Sequence, residues 1–388
     1  MSSSTVISPN TGTSSTSQMS SSAIGGELSG GGGSSGGMLH EQDVIRETGR
    51  AAIGSFLESQ NCFTVLRASG KVVVFDTRIP IQLAFYALVE HDMQAAPLWD
   101  PQIRQFVGLL TVTDFIDLLR HFSSMTDSTG GVAALGTKSI SQILSDSSLS
   151  HLLKHRSFLA ADASTSLKHA CQLLHSHSLD YLPVILPDDL RVLAAITYTN
   201  VLEHLVTHFR EERRLFDDTI HDLNIGSYSN IYTVTPNHTL SETLTLLQEQ
   251  NLSAVPVIDP NNNNKVIDMY SRSDITFLAT ASDAEDAIAN LNLSLGDILN
   301  QQRTDVTTPD RLHTCSKNHS LQSIFEYFAQ FKFNRLVVTN DLGQCVGIVS
   351  ARDLVKYFLG EITTGISRHS SFTRQGESAG LLNTEEGQ

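Results

Sequence analysis

The chain has 388 residues, 40% of them hydrophobic, with 41 acidic and 26 basic side chains and a formal net charge of −15. That length suffices for two ordinary domains or for one repeat assembly with a real core. The acidic balance, with no Lys/Arg run, argues against a nucleic-acid-binding face, and any anionic ligand must find its cations gathered locally.

Residues 1–40 are dominated by Ser, Thr and Gly and close on Gly30–Gly33 and Gly36–Gly37. Such a segment buries too little apolar area to offset its ordering entropy, and it reads as a disordered tail. No Gly-Lys-Ser/Thr follows, so the glycines do not form a phosphate loop. No basic region followed by an apolar one opens the chain, and Ser2 stands where N-myristoylation needs glycine. Apolar runs such as Val72–Phe75 are far too short to span a membrane. The expectation is a soluble, cytoplasmic protein, with the nucleus as a second compartment and no membrane partner. Cys62, Cys171, Cys315 and Cys345 show neither C-x-x-C nor zinc-finger spacing, and read as reduced thiols.

Cys62–Leu66 (CFTVL) is short and strand-like. From there to residue 360 one block recurs four times. It holds a short apolar strand, an amphipathic helix, a strand near a proline, a turn, another apolar strand, a Ser or Thr, and a second helix. In the first copy the strands are Val72–Phe75, Ala95–Trp99 and Phe106–Leu110, and the helices are Ile79–Val89 and one opening at Thr113–Leu119. Pro97, Pro183, Pro256 and Val337 precede Asp114, Asn200, Asp274 and Asp353 at nearly constant spacing, and Thr111, Thr197, Ser271 and Ser350 stand three residues before those four. This alternation predicts α+β repeats and not a Rossmann fold, which needs G-x-G-x-x-G after its first strand. The polar segment 361–388 reads as a second tail.

Ser/Thr-x-x-Asp directly after a strand is first of all a helix start, in which the hydroxyl caps an orphan N–H and the acid favours the positive helix end. It can also carry binding chemistry. A helix N-terminus offers N–H groups to anions, and a carboxylate beside it can accept two hydrogen bonds from a ribose diol. Small residues ahead of the second strand, Ala95–Ala96 and Ser253–Ala254, leave room for a flat base.

The spacing is similar to that of CBS repeats, paired modules that bind adenine nucleotides. Lys71–Thr77 (KVVVFDT), Ala95–Asp100 (AAPLWD), Phe106–Ile116 (FVGLLTVTDFI), Leu252–Asp259 (LSAVPVID) and Val346–Ser350 (VGIVS) resemble the gamma subunit of AMP-activated protein kinase in particular. The resemblance covers residues 41–360. It implies two CBS-pair (Bateman) modules, 41–210 and 211–360, in a disk-like assembly. It also implies a non-enzymatic regulatory subunit binding AMP, ADP and ATP in a heterotrimer with a kinase alpha and a scaffold beta subunit. No cofactor or metal is implied. Cys62–Leu66 matches the family segment that pairs with the beta subunit.

Residue by residue, the resemblance carries the ribose-binding role to Asp114, Asp274 and Asp353, whereas the second copy has Asn200. Ser253, Ala254, Ser271 and Ser350 match base- and backbone-contacting positions, and Thr111 holds the corresponding place in the first copy. Ser227 stands where a threonine contacts ligand, and Arg303 and Arg335 match phosphate-facing arginines. Other phosphate contacts are replaced: Gln94, Asp180-Tyr181, Thr199 and Asn334 stand where the family has Arg, His-Arg, Lys and His. Of these, Asp180 reverses the sign. The alternative is a scaffold subunit with weak or no nucleotide binding, since a cap and a ribose ligand look alike in sequence. Catalysis has no motif to rest on: His151 and His155 lack the Glu of H-E-x-x-H, His175 and His177 sit at a helix end, and there is no G-x-S-x-G or kinase signature.

Overall fold

The structure, a computed structural model, describes residues 35–66, 72–91, 93–124, 135, 137–153, 157–186, 191–209, 216–272, 274, 289–304, 312–331 and 333–360. Most of the N-terminal tail and the segment 361–388 lie outside them. By its contacts the chain divides after Asp43, and the unit that begins at Val44 holds all the repeats.

Helix α1 (Ser35–Ser59) starts inside the segment taken from sequence as tail, so residues 35–40 are helical. Its second half buries Ile53 and Leu57. Cys62–Leu66 is not a strand. Residues Cys62–Val65 form one helical turn, α2, capped by the Asn61 side chain, which accepts from Thr64 N at 3.2 Å. β-propensity loses here to tertiary hydrogen bonds. Cys62 N donates to Thr165 O at 2.8 Å and Phe63 N to Ala163 O at 3.0 Å, which curls the segment against the second repeat.

The first repeat then runs β1 (Phe75–Asp76), α3 (Ile81–Glu90), β2 (Ala95–Asp100), β3 (Gln105–Thr111) and α4 (Val112–Ser124). The first strand is shorter than Val72–Phe75 suggested, because only Phe75 and Asp76 find parallel partners, Leu98 and Trp99. Helix α5 (Ile140–Ser145), capped by Ser139, follows. The second repeat is β4 (Ala161–Asp162), α6 (Leu167–Ser176), β5 (Leu182–Leu186), β6 (Arg191–Ile196) and α7 (Tyr198–His208). The third has α8 (Leu240–Glu249), β7 (Ala254–Asp259) and β8 (Lys265–Ser271), with a single parallel bridge from Val234 to Val257 in place of the short strand; α9 (Leu295–Thr304) follows. The fourth is β9 (Thr314–Cys315), α10 (Leu321–Phe331), β10 (Arg335–Thr339), β11 (Cys345–Ser350) and α11 (Ala351–Phe358).

Four small sheets result, three in the order short strand, first hairpin strand, second hairpin strand, and one of the hairpin strands alone. Every hairpin slips register at the same place, at Leu98/Trp99, Val184/Ile185, Val257/Ile258 and Val338/Thr339. A bulge bends its strand and increases local twist, so the repetition of this defect is itself a repeat signature.

The cores do not follow the order of the chain. One joins the first and third repeats through Phe85, Leu110, Leu244 and Val257, and another joins the second and fourth through Leu174, Val201, Phe328 and Leu354. A smaller cluster sets Val266 and Met269 of β8 against Val337 of β10. Each repeat leaves apolar helix faces that its counterpart two repeats away covers, so the segments 41–210 and 211–360 share their cores.

The free cysteines are mostly buried. Burial pushes the Cys62 thiol up to about 11 and that of Cys171 to about 12, which suppresses the reactive thiolate. His175 and His177 lie at the end of α6, with His177 as its cap. His151 sits in a short 3-10 turn rather than on a helix face, and His155 lies outside the described residues.

His204 on α7 is buried, stacked at 4.3 Å on His208 and 5.8 Å from Phe56, and its Nε2 has no hydrogen-bond partner. Burial first, and the neighbouring His208 second, hold its imidazole below the ordinary value. The unfolded chain therefore takes up a proton here before the folded one does. The stability tied to this group is complete above about pH 6.5 and is lost as pH falls through the folded pKa. His204→Phe is expected to flatten the fall of the thermal midpoint below that pH. An unchanged slope would contradict the assignment.

Candidate functional site

The repeated Ser/Thr-x-x-Asp closes the same small ring in the first and fourth repeats. The Asp114 Oδ2 accepts from Thr111 N at 2.8 Å and from the Thr111 hydroxyl at 2.7 Å, while Asp114 N donates to Thr111 Oγ1 at 3.1 Å. Asp353 Oδ2 does the same with Ser350, at 2.9 and 2.7 Å, and Asp353 N returns a bond to Ser350 Oγ at 3.2 Å. Asp274 Oδ2 accepts from Ser271 N at 2.7 Å. In the second repeat Asn200 imitates the ring through Oδ1, at 3.2 and 2.8 Å from Thr197 N and hydroxyl. The capping bond to the hydroxyl is thus real at Thr111, Thr197 and Ser350.

Capping consumes one carboxylate oxygen. At Asp353 the other, Oδ1, has no hydrogen bond among the described residues. A half-buried aspartate can therefore cap its helix and still accept from a diol. Asn200 cannot, because its only acceptor oxygen is already bound and what remains is an NH2 donor. Asp114 differs again: it is 0% exposed, whereas Asp274 and Asp353 are partly exposed.

The hairpin register sets what faces each cap. Ala95 pairs with Thr111, Ala254 with Ser271, and Arg335 with Ser350. The residue just ahead of the first hairpin strand holds the first amide of the following helical turn by its carbonyl: Gln94 O from Val112 N at 3.2 Å, Ser253 O from Arg272 N at 3.0 Å, Asn334 O from Ala351 N at 3.0 Å. Ala254 is buried at 7% exposure, and Ser253, Gln94 and Asn334 are exposed. Ser227 is seated across from the fourth repeat: its N donates to Ile348 O at 2.8 Å, and Ile348 N donates back at 2.9 Å.

Arg335 is the electrostatic centre. Burial holds its guanidinium below the ordinary arginine value, against the opposing pull of Asp180, Asp274 and Asp353, and the neighbouring Arg272 adds to the depression. Among the described residues it makes no hydrogen bond and no ion pair. Arg272 is likewise depressed by burial, but its guanidinium is engaged with Leu247 O at 2.6 Å. Asp274 and Asp353, from different repeats, both act electrostatically on this one guanidinium, and Ser271, Ser350 and Ala254 stand at strand ends. Asp114 and Thr111 belong to the first repeat and do not bear on Arg335. The Arg303 backbone closes α9, and its side chain lies outside the described residues.

Two neighbours escaped notice in the sequence. Tyr198, the first residue of α7, is 5% exposed with its hydroxyl unpartnered, beside Arg352, Asp180 and Asp353. Its signal was available: the matching positions in other repeats are Val112, Arg272 and Ala351, so a tyrosine there is an exception. The second is Arg120 of α4, which donates to Gln248 and, at 2.6 Å, to Thr245 Oγ1 of α8, tying the first repeat to the third. Among the described residues no His/Cys/Asp/Glu group could hold a metal, and no helix is long and apolar enough to cross a membrane.

Comparison with known proteins agrees with this geometry. The CBS domain family matches residues 149–207, 225–279 and 304–360, and the first repeat, which that match leaves out, has the same order of elements. The fold resembles that of a Methanocaldococcus jannaschii protein, a proposed archaeal homologue of the AMPK gamma subunit. The TM-score is 0.60 at 14% identity, over 77% of this chain and 100% of that one. The chain is of α+β class and carries three matches to the CBS domain. Among curated proteins it is similar to gamma subunits of 5'-AMP-activated protein kinase. It is 30% identical to the Dictyostelium discoideum gamma subunit over 318 residues, 81% of this chain and 54% of that protein. It is 27% identical to human gamma-3 over 317 residues, 81% of this chain and 62% of that one. It spans less than two thirds of the length of either.

Proposed function

We propose that the chain is the adenine-nucleotide-sensing gamma subunit of a heterotrimeric AMP-activated protein kinase, binding AMP, ADP and ATP and modulating a kinase alpha subunit held with a scaffold beta subunit. It carries no catalysis of its own, takes no cofactor, and acts in the cytoplasm, with the nucleus as a second compartment. The observation that carries this reading is the guanidinium of Arg335, without a hydrogen bond among the described residues and within electrostatic reach of Asp274 and Asp353. A carboxylate suits a ribose diol, and an uncommitted guanidinium suits a phosphate. The kinship with gamma subunits supports the partners. Ser271, Ser350, Ser253, Ala254 and Ser227 are assigned to the base and backbone contacts, and Arg303 to phosphate.

The test is reconstitution. Co-expressed with alpha and beta subunits, the chain is expected to co-purify as a stoichiometric trimer whose kinase activity changes on adding AMP. The response should be lost in a trimer carrying Asp274→Asn and Asp353→Asn. A trimer that forms but answers identically to nucleotide with either chain would refute the sensing role, and failure to co-purify would refute the assembly.

A further inference from the structure

Each repeat receives another segment of the chain at the same point. The residue just ahead of the cap of its first helix lends its carbonyl to an incoming amide: Ile79 O to Ile140 N at 3.0 Å, Thr165 O to Cys62 N at 2.8 Å, His238 O to Leu295 N at 2.8 Å and His319 O to Ile220 N at 3.1 Å. The turn that presents this carbonyl is closed in two ways. In the first and second repeats a carboxylate closes it: Asp76 Oδ1 accepts from Arg78 N at 2.9 Å, and Asp162 Oδ1 from Ser164 N at 2.7 Å. In the third and fourth an imidazole does so: His238 Nδ1 accepts from Thr235 N at 3.1 Å, and His319 Nδ1 from Ser316 N at 2.8 Å. A ring that accepts at Nδ1 is neutral, with its proton on Nε2. The two segments held at histidines are those that carry residues assigned to the nucleotide. Ile220 O accepts from Ile225 N at 2.9 Å, and the chain then reaches Ser227, seated on Ile348. Leu295 opens α9, whose last turn carries Arg303, and Gly296 N fixes the same end to Pro236 O at 2.9 Å.

We infer that His238 and His319 are positioning residues for the nucleotide site, their neutral rings latching the segments that carry Arg303 and Ser227, so that acid loosens these two attachments and leaves the other two held. The inference rests on the nucleotide-binding reading above. Histidine is the side chain whose charge ordinarily changes between about pH 5 and 8, whereas an aspartate keeps its acceptors down to about pH 4. A protonated ring has no acceptor. It can donate only to the Thr235 hydroxyl, 2.9 Å from His238 Nδ1, or to Ser316 O, 3.3 Å from His319 Nδ1, and the amides of Thr235 and Ser316 then meet a donor. The latch is therefore complete at neutral pH and lost as pH falls. Glu242 of α8 acts on His238, and Asp297 of α9 is bonded to Ser294 Oγ beside the same turn. His319 has Lys317 on its own turn and the Tyr327 ring at 6.2 Å. The segment packed on it brings Asp217, Asp218, His221 and Asp222, of which Asp218 is paired with Arg46 and Asp222 lies 3.9 Å from His221. Among the described residues none of these groups accepts from Thr235 N or Ser316 N.

The experiment is hydrogen exchange of the full chain at about pH 7.5 and about pH 5.5, corrected for the intrinsic rates, with AMP titrations at the same two values. Protection at Ile220 and Leu295 is expected to fall about five- to tenfold at the lower pH, and that at Cys62 and Ile140 to stay within about twofold. His238→Asn combined with His319→Asn offers amide oxygens that do not titrate, and should abolish the difference; the corresponding Leu pair should lose protection at both values. The AMP affinity of the parent should fall about three- to tenfold further on acidification than that of the Asn pair, a comparison that cancels the titration of the phosphate itself. Equal losses of protection at all four attachments, or an Asn pair with the parent's pH dependence, would overturn the latch. Latches that open while AMP affinity moves alike in both proteins would remove the positioning role and leave nucleotide binding intact. A chain that binds no AMP at either pH would overturn the nucleotide reading, while the exchange data still decide the latch.

Discussion

Arg335→Gln is expected to lower AMP affinity by about ten- to a hundredfold while leaving the protein as stable as before, or more so. The two halves of that result have one cause. The guanidinium makes no hydrogen bond or ion pair among the described residues, and burial depresses it despite three carboxylates nearby. The protein holds this charge at a net electrostatic cost, so removing it relieves strain rather than breaking a contact. A phosphate would supply the missing partner. A charge-assisted hydrogen bond is worth about 1.5–3 kcal/mol, and each 1.4 kcal/mol is tenfold in affinity. Calorimetry against AMP and a thermal melt of the same preparation check the two halves together. Unchanged affinity would remove Arg335 from the site, and a large loss of thermal stability would make it a structural residue instead.

Gly226→Ala should destabilise the fold by about 2–4 kcal/mol. Gly226 has φ of +108°, a region that L side chains rarely enter, and an added Cβ would lie 2.7 Å from Ile348 O and from Val349 Cγ2. The carbonyl belongs to β11 and is held there by Ser227 N, so it cannot give way cheaply. By comparison, a Cβ at Gly347 meets the ring of Tyr228, whose hydroxyl donates to Ile225 O at 2.9 Å, and a ring can tilt. The Gly226 substitution also unseats Ser227 from the fourth repeat. Denaturant unfolding measures the stability loss. A change under about 0.5 kcal/mol would show that the turn does not matter to the fold.

What could be read from the sequence followed from local rules. The helix starts at Thr111, Thr197 and Ser350 were visible because a cap is a short-range device, and the hairpins after Pro97, Pro183 and Pro256 were visible because alternation and turn residues are local too. Cys62–Val65 was misjudged for the converse reason. Its aromatic and β-branched residues favour a strand, but Asn61 and the carbonyls of Ala163 and Thr165 decide its shape. The pairing of first with third and second with fourth repeats could not be read at all, since helix faces alone do not say which counterpart covers them. At the site, three repeats share the aspartate in sequence, yet only burial separates Asp114 from Asp274 and Asp353. The sign reversal at Asp180 was legible as a letter. Its bearing on Arg335, from another repeat, was not.

The central claim is that a capping aspartate also grips the nucleotide. Asp353→Asn keeps the ring with Ser350, as Asn200 does with Thr197, but exchanges the uncommitted Oδ1 for a donor. The most direct measurement is AMP titration of the full chain beside the Asp353→Asn, Asp274→Asn and Asp114→Asn variants, each shown by its melt to be folded. The account predicts weaker binding by about 1–3 kcal/mol for the first two and parent-like binding for the third. Tight binding that only Asp114→Asn disturbs would contradict it.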